Sequence, residues 1–193
     1  AEVGVSLTHP HSQVDALPFI PSRIRRELRS SADHWRRKGR CLFCEIVRLE
    51  REEGVRIVFE NQHVVAFVPF FAMWPFEVHV YPVRHVRDLS ETTDEERISI
   101  AEALKAVTRA YNRLFSREMP YMMIFHQRPT DGREYKYYHF HVEFYPIMRD
   151  NGKIKYAAGI EWGAGTFTYD GLPENNAARL REVLACSSGP KTS

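Results

Sequence analysis

The run "DLSETTDEERISIAEALKAVTRAYNRLF", residues 88–115, constrains the fold more than any other segment. Its apolar residues recur at spacings of three and four, acidic residues crowd its start, and Ser90 or Thr93 offers an N-cap, so it predicts one long amphipathic helix. Such a helix must lay its apolar stripe on a neighbour. The segments "VRIVFE", "HVVAFVP" and "FEVHVYP" before it, and "PYMMIFHQRP", "YYHFHVEFYPI" and "KIKYAAGIE" after it, read as strands bounded by turn residues. Strands grouped around one helix predict an α+β fold, an antiparallel sheet with helices on one face. A last helix is expected over "PENNAARLREVLAC".

Upstream, "EVGVSLTHPHSQVDA" reads as extended, because valines alternate with small or polar residues and Pro10 forbids a helix. A turn at "LPFIPS" leads into a charged helix from Pro21 to Lys38 that Gly39 stops, and a short helix is expected around "CLFCEIVRLEREEG". A break near Gly39 therefore divides the chain into a piece over 1–39, a domain over 40–186 and a mobile tail over 187–193. Each of the two larger pieces contains a His-x-His strand, a weak internal repeat. No cap or turn introduces the first extended run, so the chain reads as though entered midway.

The charge balance excludes one class of partner. With 27 basic and 25 acidic residues the formal charge is +2, and a phosphate-tracking surface needs a large basic excess, so no nucleic-acid partner is expected. The basic residues that do cluster between Arg23 and Arg40 form either a solvated helix face or a subunit or phosphate contact. No apolar stretch reaches the roughly 18 residues of a membrane helix, and no signal peptide opens the chain, so no membrane partner is expected. Three cysteines, two of them in "CLFC", make no disulfide framework and point to a reducing cytoplasm.

In a strand, residues i, i+2 and i+4 share a face. That rule aligns His9, His11 and Gln13 in the first run, and His139, His141 and Glu143 in the second. Two imidazoles and an amide can hold a metal, supply a nucleophile and contact an anion; imidazoles with a carboxylate suit a divalent metal. The plainer alternative is a half-buried strand whose histidines are satisfied among Tyr138, Phe140 and Phe144. Cys41 and Cys44 have the separation at which two thiolates bind one zinc ion, with His85 and His139 as candidates to complete a tetrahedron.

Taken together, "HPHSQ", "VPFFAMWPFEVHVYPVRHV", "FHQRP" and the stretch from "HFHVEFYP" to "KYAAGIE" resemble the galactose-1-phosphate uridylyltransferases of the histidine-triad-like superfamily. The resemblance implies a histidine-triad-like antiparallel sheet with helices: one complete domain over 40–186, preceded over 1–39 by the last strand and helix of a first such domain. It implies the second part of a split enzyme acting with a complementary N-terminal half, a homodimer partner, or both. The implied reaction is uridylyl transfer between UDP-glucose and galactose 1-phosphate, by a ping-pong mechanism through a uridylyl-histidine at His11. His9 is then a ligand of a Zn2+ whose other ligands lie upstream, Gln13 hydrogen-bonds the phosphoryl oxygens, and Gly4 and Ser6 lie near the phosphates. Glu27, His126 and His141 match ligands of a second divalent metal, iron or zinc; Glu143 stands where some members carry histidine.

Lys155 and Glu161 match residues that reach the phosphate and sugar of a substrate bound in the partner subunit. The family's first-domain zinc pattern, transferred to this domain, selects Cys41, Cys44, His85 and His139. Two alternatives stay open: a dinucleoside polyphosphate phosphorylase-like nucleotidyltransferase, and an inactive metal-binding remnant. "WPFE" and "KYAAGIE" favour the hexose enzyme.

Overall fold

A computed structural model describes residues 12–115, 117–169 and 171–186. The long helix forms as its sequence predicts, as α3 over Asp94–Leu114. Thr93 caps it: its side chain accepts from the Glu96 amide at 3.2 Å, while Glu96 Oε2 accepts from the Thr93 amide at 2.9 Å. Residues 88–92 are set apart as a single 3₁₀ turn, Leu89–Glu91, capped by Asp88. On its buried stripe Ala103 and Ala110 have no exposed surface, and these small side chains let the helix lie close on the sheet.

Two helices precede the sheet: α1 over Ser22–Lys38 and α2 over Leu42–Glu53. Gly39 ends α1 in the left-handed conformation, φ 67°, and returns its N–H to the Trp35 carbonyl, a conformation glycine adopts without a Cβ clash. The sheet comprises β1 Ile57–Glu60, β2 Val64–Phe67, β3 Val78–Pro82, β4 Tyr121–His126 and β5 His141–Pro146. Their spatial order is β1-β2-β3-β5-β4, with every neighbour antiparallel. A small hairpin, β6 Met148–Asp150 with β7 Lys153–Ile154, leads to α4 Gly159–Ala164 and α5 Pro173–Ala185.

Helices cover both faces of the sheet, not one as expected. Val64, Ala66, Val78, Val80, Val142 and Phe144 pack in the core with Val107 of α3 and Leu180 of α5. The alternate residues Val65, Phe67 and Tyr81 pack on the other face with Leu28 of α1 and Val47 of α2. Every residue of β2, β3 and β5 is consequently buried, the pattern of strands covered on both sides. A second correction concerns 153–161: only Lys153 and Ile154 pair as a strand, and Gly159 begins a helix. The extended run expected at the N-terminus lies outside the described residues up to residue 11; residues 12–17 form no strand. Among the described residues, no helix is long and apolar enough to cross a membrane.

Candidate metal centres and the active-site segment

Strand register assembles the polar residues on the α1–α2 side of the sheet. β5 lies between β3 and β4, so His141 stands opposite His126, and Glu143 stands opposite His79. Opposed residues in an antiparallel pair project to the same face, and α1 crosses this face carrying Glu27. One ligand atom from each of Glu27, His126, His141 and Glu143 lies within 4.8 Å of all the others. His126 bridges the two acids, with Nδ1 3.1 Å from a Glu27 oxygen and Nε2 3.1 Å from Glu143 Oε2.

The donor set fits a divalent cation. His141 Nδ1 lies 2.9 Å from the His139 carbonyl oxygen and must carry the hydrogen, which leaves Nε2 with a bare lone pair. That atom is buried without a hydrogen-bond partner, 3.3 Å from the Glu143 carboxylate. A lone pair set against an anion in a buried site is unfavourable until a cation lies between them. Burial by itself would raise the Glu27 carboxyl, yet the hydrogen bond and charge of His126 outweigh it and hold the group below its usual range. Glu143 behaves likewise: burial raises it, and the imidazoles of His79, His141 and His126 around it bring it down further. Two imidazoles with two carboxylates suit zinc, iron or manganese more than a soft thiophilic ion.

A second cluster lies at the α2 N-terminus. Cys41 is the N-cap of α2 and Cys44 lies in its first turn, while His85 follows β3 and His139 precedes β5. Their ligand atoms again lie within 4.8 Å of one another, with Cys44 Sγ 3.2 Å from His85 Nδ1 and 3.4 Å from His139 Nδ1. Zinc bonds of about 2.0–2.3 Å to nitrogen and sulfur give tetrahedral edges of about 3.3–3.8 Å, and the two Cys44 edges lie close to that range. Hydrogen bonding from Cys44 favours the Cys41 thiolate against the cost of its burial, and the same contact holds Cys44 protonated. A cation at the site would favour ionisation of both.

His139, His141 and Glu143 share the α1–α2 side of the sheet as the i, i+2 rule expects, with Phe140, Val142 and Phe144 on the α3 side. They divide between two clusters along that side: His139 lies with the cysteines, and His141 and Glu143 with Glu27. Lys155 and Glu161 form a buried ion pair at 2.9 Å. Glu161 also accepts from the amides of Ala158 and Thr168, and Lys155 Nζ donates to the carbonyls of Met73 and Thr168. Gln13 is exposed in the irregular segment before α1; Gly4, Ser6, His9 and His11 lie outside the described residues.

Several residues that hold the ligands escape the sequence reading. The Tyr138 hydroxyl donates to Glu27 at 2.9 Å, Arg23 Nη2 donates to Glu143 at 2.8 Å, and the Tyr145 hydroxyl also donates to Glu143. Glu77 and His79 are buried beside the same centre. The available signal was a charged or polar residue inside otherwise apolar strand runs such as "FEVHVYP".

The architecture has known counterparts. A histidine triad nucleotide-binding protein from Sulfolobus tokodaii shares the fold at a TM-score of 0.54 and 16% identity, over 76% of this chain and 93% of that one. A solved uridylyltransferase superposes at a TM-score of 0.89 with 49% identity, over 96% of this chain and 58% of that one. The galactose-1-phosphate uridylyltransferase of Thermotoga maritima is 44% identical over 94% of this chain and 57% of its own length. The chain thus spans about half the length of the curated relatives it matches. The family model described as galactose-1-phosphate uridyl transferase, C-terminal domain, matches residues 27–188, a match that begins at the metal-facing Glu27 and takes in both clusters: the chain belongs to the galactose-1-phosphate uridyl transferase family.

Proposed function

We propose that this chain carries the nucleophile of a uridylyl transfer between UDP-glucose and galactose 1-phosphate, acting with the N-terminal portion that its relatives possess. The observation that carries this reading is the anchoring of α1, the helix that follows "HPHSQ", to the sheet: Glu27 reaches His126 and Tyr138, within the stretch matched to the family. That contact anchors α1, which begins at Ser22 after the motif ends at Gln13, to the domain.

In the first half-reaction an unprotonated ring nitrogen of His11 attacks the α-phosphorus of UDP-glucose. A P–N bond forms, the bond to the bridging oxygen breaks, and glucose 1-phosphate leaves with that electron pair. In the second, a phosphate oxygen of galactose 1-phosphate attacks the same phosphorus, giving UDP-galactose and freeing the imidazole. Imidazole suits both steps, being unprotonated near neutral pH and a competent leaving group from phosphorus. Gln13 donates an amide hydrogen to the phosphoryl oxygens, and Gly4 and Ser6 line the phosphates. Lys155 and Glu161 serve a substrate held in a partner subunit, contacting phosphate and sugar, with their mutual ion pair keeping both side chains ordered before substrate arrives.

We also assign the metals. Cys41, Cys44, His85 and His139 hold a structural Zn2+; Glu27, His126, His141 and Glu143 hold a second divalent ion, iron or zinc; and His9 contributes to a zinc site completed by upstream residues of the relatives. The bound ions supply charge compensation and cross-linking of the segments that ligate them.

The reaction is tested by incubating the chain, together with the N-terminal portion of a relative, with UDP-glucose labelled in its uridylyl group. Stable label on the protein is expected in the parent and absent in His11→Ala. Label that survives this substitution removes His11 from the nucleophile's role, and product analysis with ATP, diadenosine tetraphosphate and UDP-sugars separates hexose transfer from dinucleoside polyphosphate phosphorolysis.

A further inference from the structure

His79 and Glu77 are wholly buried, yet nothing above requires them. Burying an imidazole and a carboxylate is costly unless partners hold them, and here the partners form a chain. Glu77 Oε2 accepts the amides of Met73 and Trp74 at 2.8 and 3.0 Å, which fixes this carboxylate and turns Oε1 toward His79 Nε2, 2.8 Å away. On its other side His79 Nε2 lies 3.4 Å from Glu143 Oε1. That approach is imposed by register, because His79 stands opposite Glu143 across β3 and β5. Two carboxylate oxygens face Nε2, so Nε2 carries the hydrogen, and the buried Nδ1 is left without a hydrogen-bond partner. The ring's orientation thus serves its two acidic neighbours.

The Glu143 carboxylate is held by hydrogen bonds at one oxygen and approached by imidazoles at the other. Oε2 receives Arg23 Nη2 at 2.8 Å and the Tyr145 hydroxyl; Oε1, which faces the bare His141 Nε2 at 3.3 Å, has His79 beside it. The terminal torsion of a glutamate is broad and roughly two-fold, so its orientation must be fixed from outside. We propose that His79, backed by Glu77, is a positioning residue of the divalent-metal centre: its Nε2–H, held on Glu77, lies 3.4 Å from the Glu143 oxygen that faces His141 and so biases electrostatically how this carboxylate meets the ion. The inference rests on the reading of Glu27, His126, His141 and Glu143 as ligands. Partners that orient ligating groups in this way change metal affinity by about 10–100-fold.

The test uses the purified chain, stripped of metal and titrated with cobalt(II), with affinities set by competition against a chelator. Cobalt bound by nitrogen and oxygen gives d–d absorption alone, whereas cobalt on Cys41 and Cys44 adds a thiolate charge-transfer band, so the two clusters are read separately. His79→Leu is expected to weaken the nitrogen–oxygen site about 10–100-fold and to leave the thiolate titration unchanged. Glu77→Gln conserves shape; its carboxamide keeps the Met73 and Trp74 amides on oxygen and turns its NH2 to His79. The imidazole hydrogen then moves to Nδ1, a lone pair faces Glu143, and affinity falls again, with the tautomer change visible in the imidazole nitrogen NMR shifts. His79→Gln, which keeps a donor, recovers most of the affinity and serves with Glu77→Gln as the test if His79→Leu does not fold. Parent-like cobalt affinity in His79→Leu or in Glu77→Gln, or a loss in His79→Gln as large as in Glu77→Gln, with the parent site intact, overturns the role of His79. A parent that shows no nitrogen–oxygen cobalt site overturns the metal reading itself and this inference with it.

Discussion

Stripping the metal from the Cys41, Cys44, His85 and His139 cluster is expected to destabilise the domain by about 4–5 kcal/mol, by the two routes that follow. The cluster joins the start of α2 to the segments after β3 and before β5, and Cys44 is separated by 41 residues from His85 and by 95 from His139. On a chain-entropy account, a cross-link that closes a loop of 95 residues stabilises by about 4.7 kcal/mol at 25 °C. Mass action gives a similar size independently: an ion held at a thousandfold above its Kd contributes about 4.1 kcal/mol. For a chain of this length each kcal/mol moves Tm by about 2–4 °C, so the shift is roughly 8–19 °C. The assay is calorimetric melting of the parent and of Cys41→Ser/Cys44→Ser, each with and without excess chelator, alongside metal analysis. Chelator should lower the parent Tm by the stated amount. The double variant should melt near the chelated parent and respond less, since only the Glu27 centre remains. Equal chelator shifts in the two proteins, or no zinc recovered with the parent, would refute the reasoning.

Two further outcomes concern the scaffold. Thr93→Ala removes one arm of the α3 capping box and should cost about 1 kcal/mol, read as a lower urea midpoint at unchanged m-value. The Glu161 carboxyl is lowered to about 2, chiefly by its hydrogen bond from Lys155. A depressed carboxyl stabilises fully above its ordinary value of 4.5 and loses that contribution as pH falls toward about 2. The denaturation midpoint of the parent should therefore drop through this window, and Glu161→Gln should flatten that limb; an unchanged acid limb in the variant would assign the loss to other groups.

How far the sequence reveals this molecule depends on whether an element is specified locally. α3 is readable because its cap, acidic first turn and apolar spacing are all contained in one run. α4 is misread as strand because "KIKYAAGIE" alternates as a strand does, while its six-residue helix is closed by contacts with Thr168 and Lys155, outside the helix itself. Helices on both faces were foreshadowed in "VVAF", whose continuous apolar character is what a doubly covered strand requires. An alternation rule built for half-exposed strands does not recognise that pattern.

The site divides along the same line. His-x-His spacing brings His139 and His141 to attention and places them on one side of the sheet. It does not say that they join different ligand clusters, because that depends on Cys41 and Cys44 of α2 and on Glu27 of α1, which are far away in sequence. The link between them survives in the backbone, because the His139 carbonyl holds the His141 ring. His79 shows the converse: its sequence marks it only as a polar residue in an apolar run, and the β3–β5 register is what sets it against Glu143. A one-residue slip in that register would turn His79, His141 or Glu143 to the apolar α3 face, leaving an unpaired polar group among Val80, Val142 and Phe144. The polar cluster thus specifies the register as firmly as the register builds the cluster, so the candidate metal centre and the sheet are consequences of one pairing.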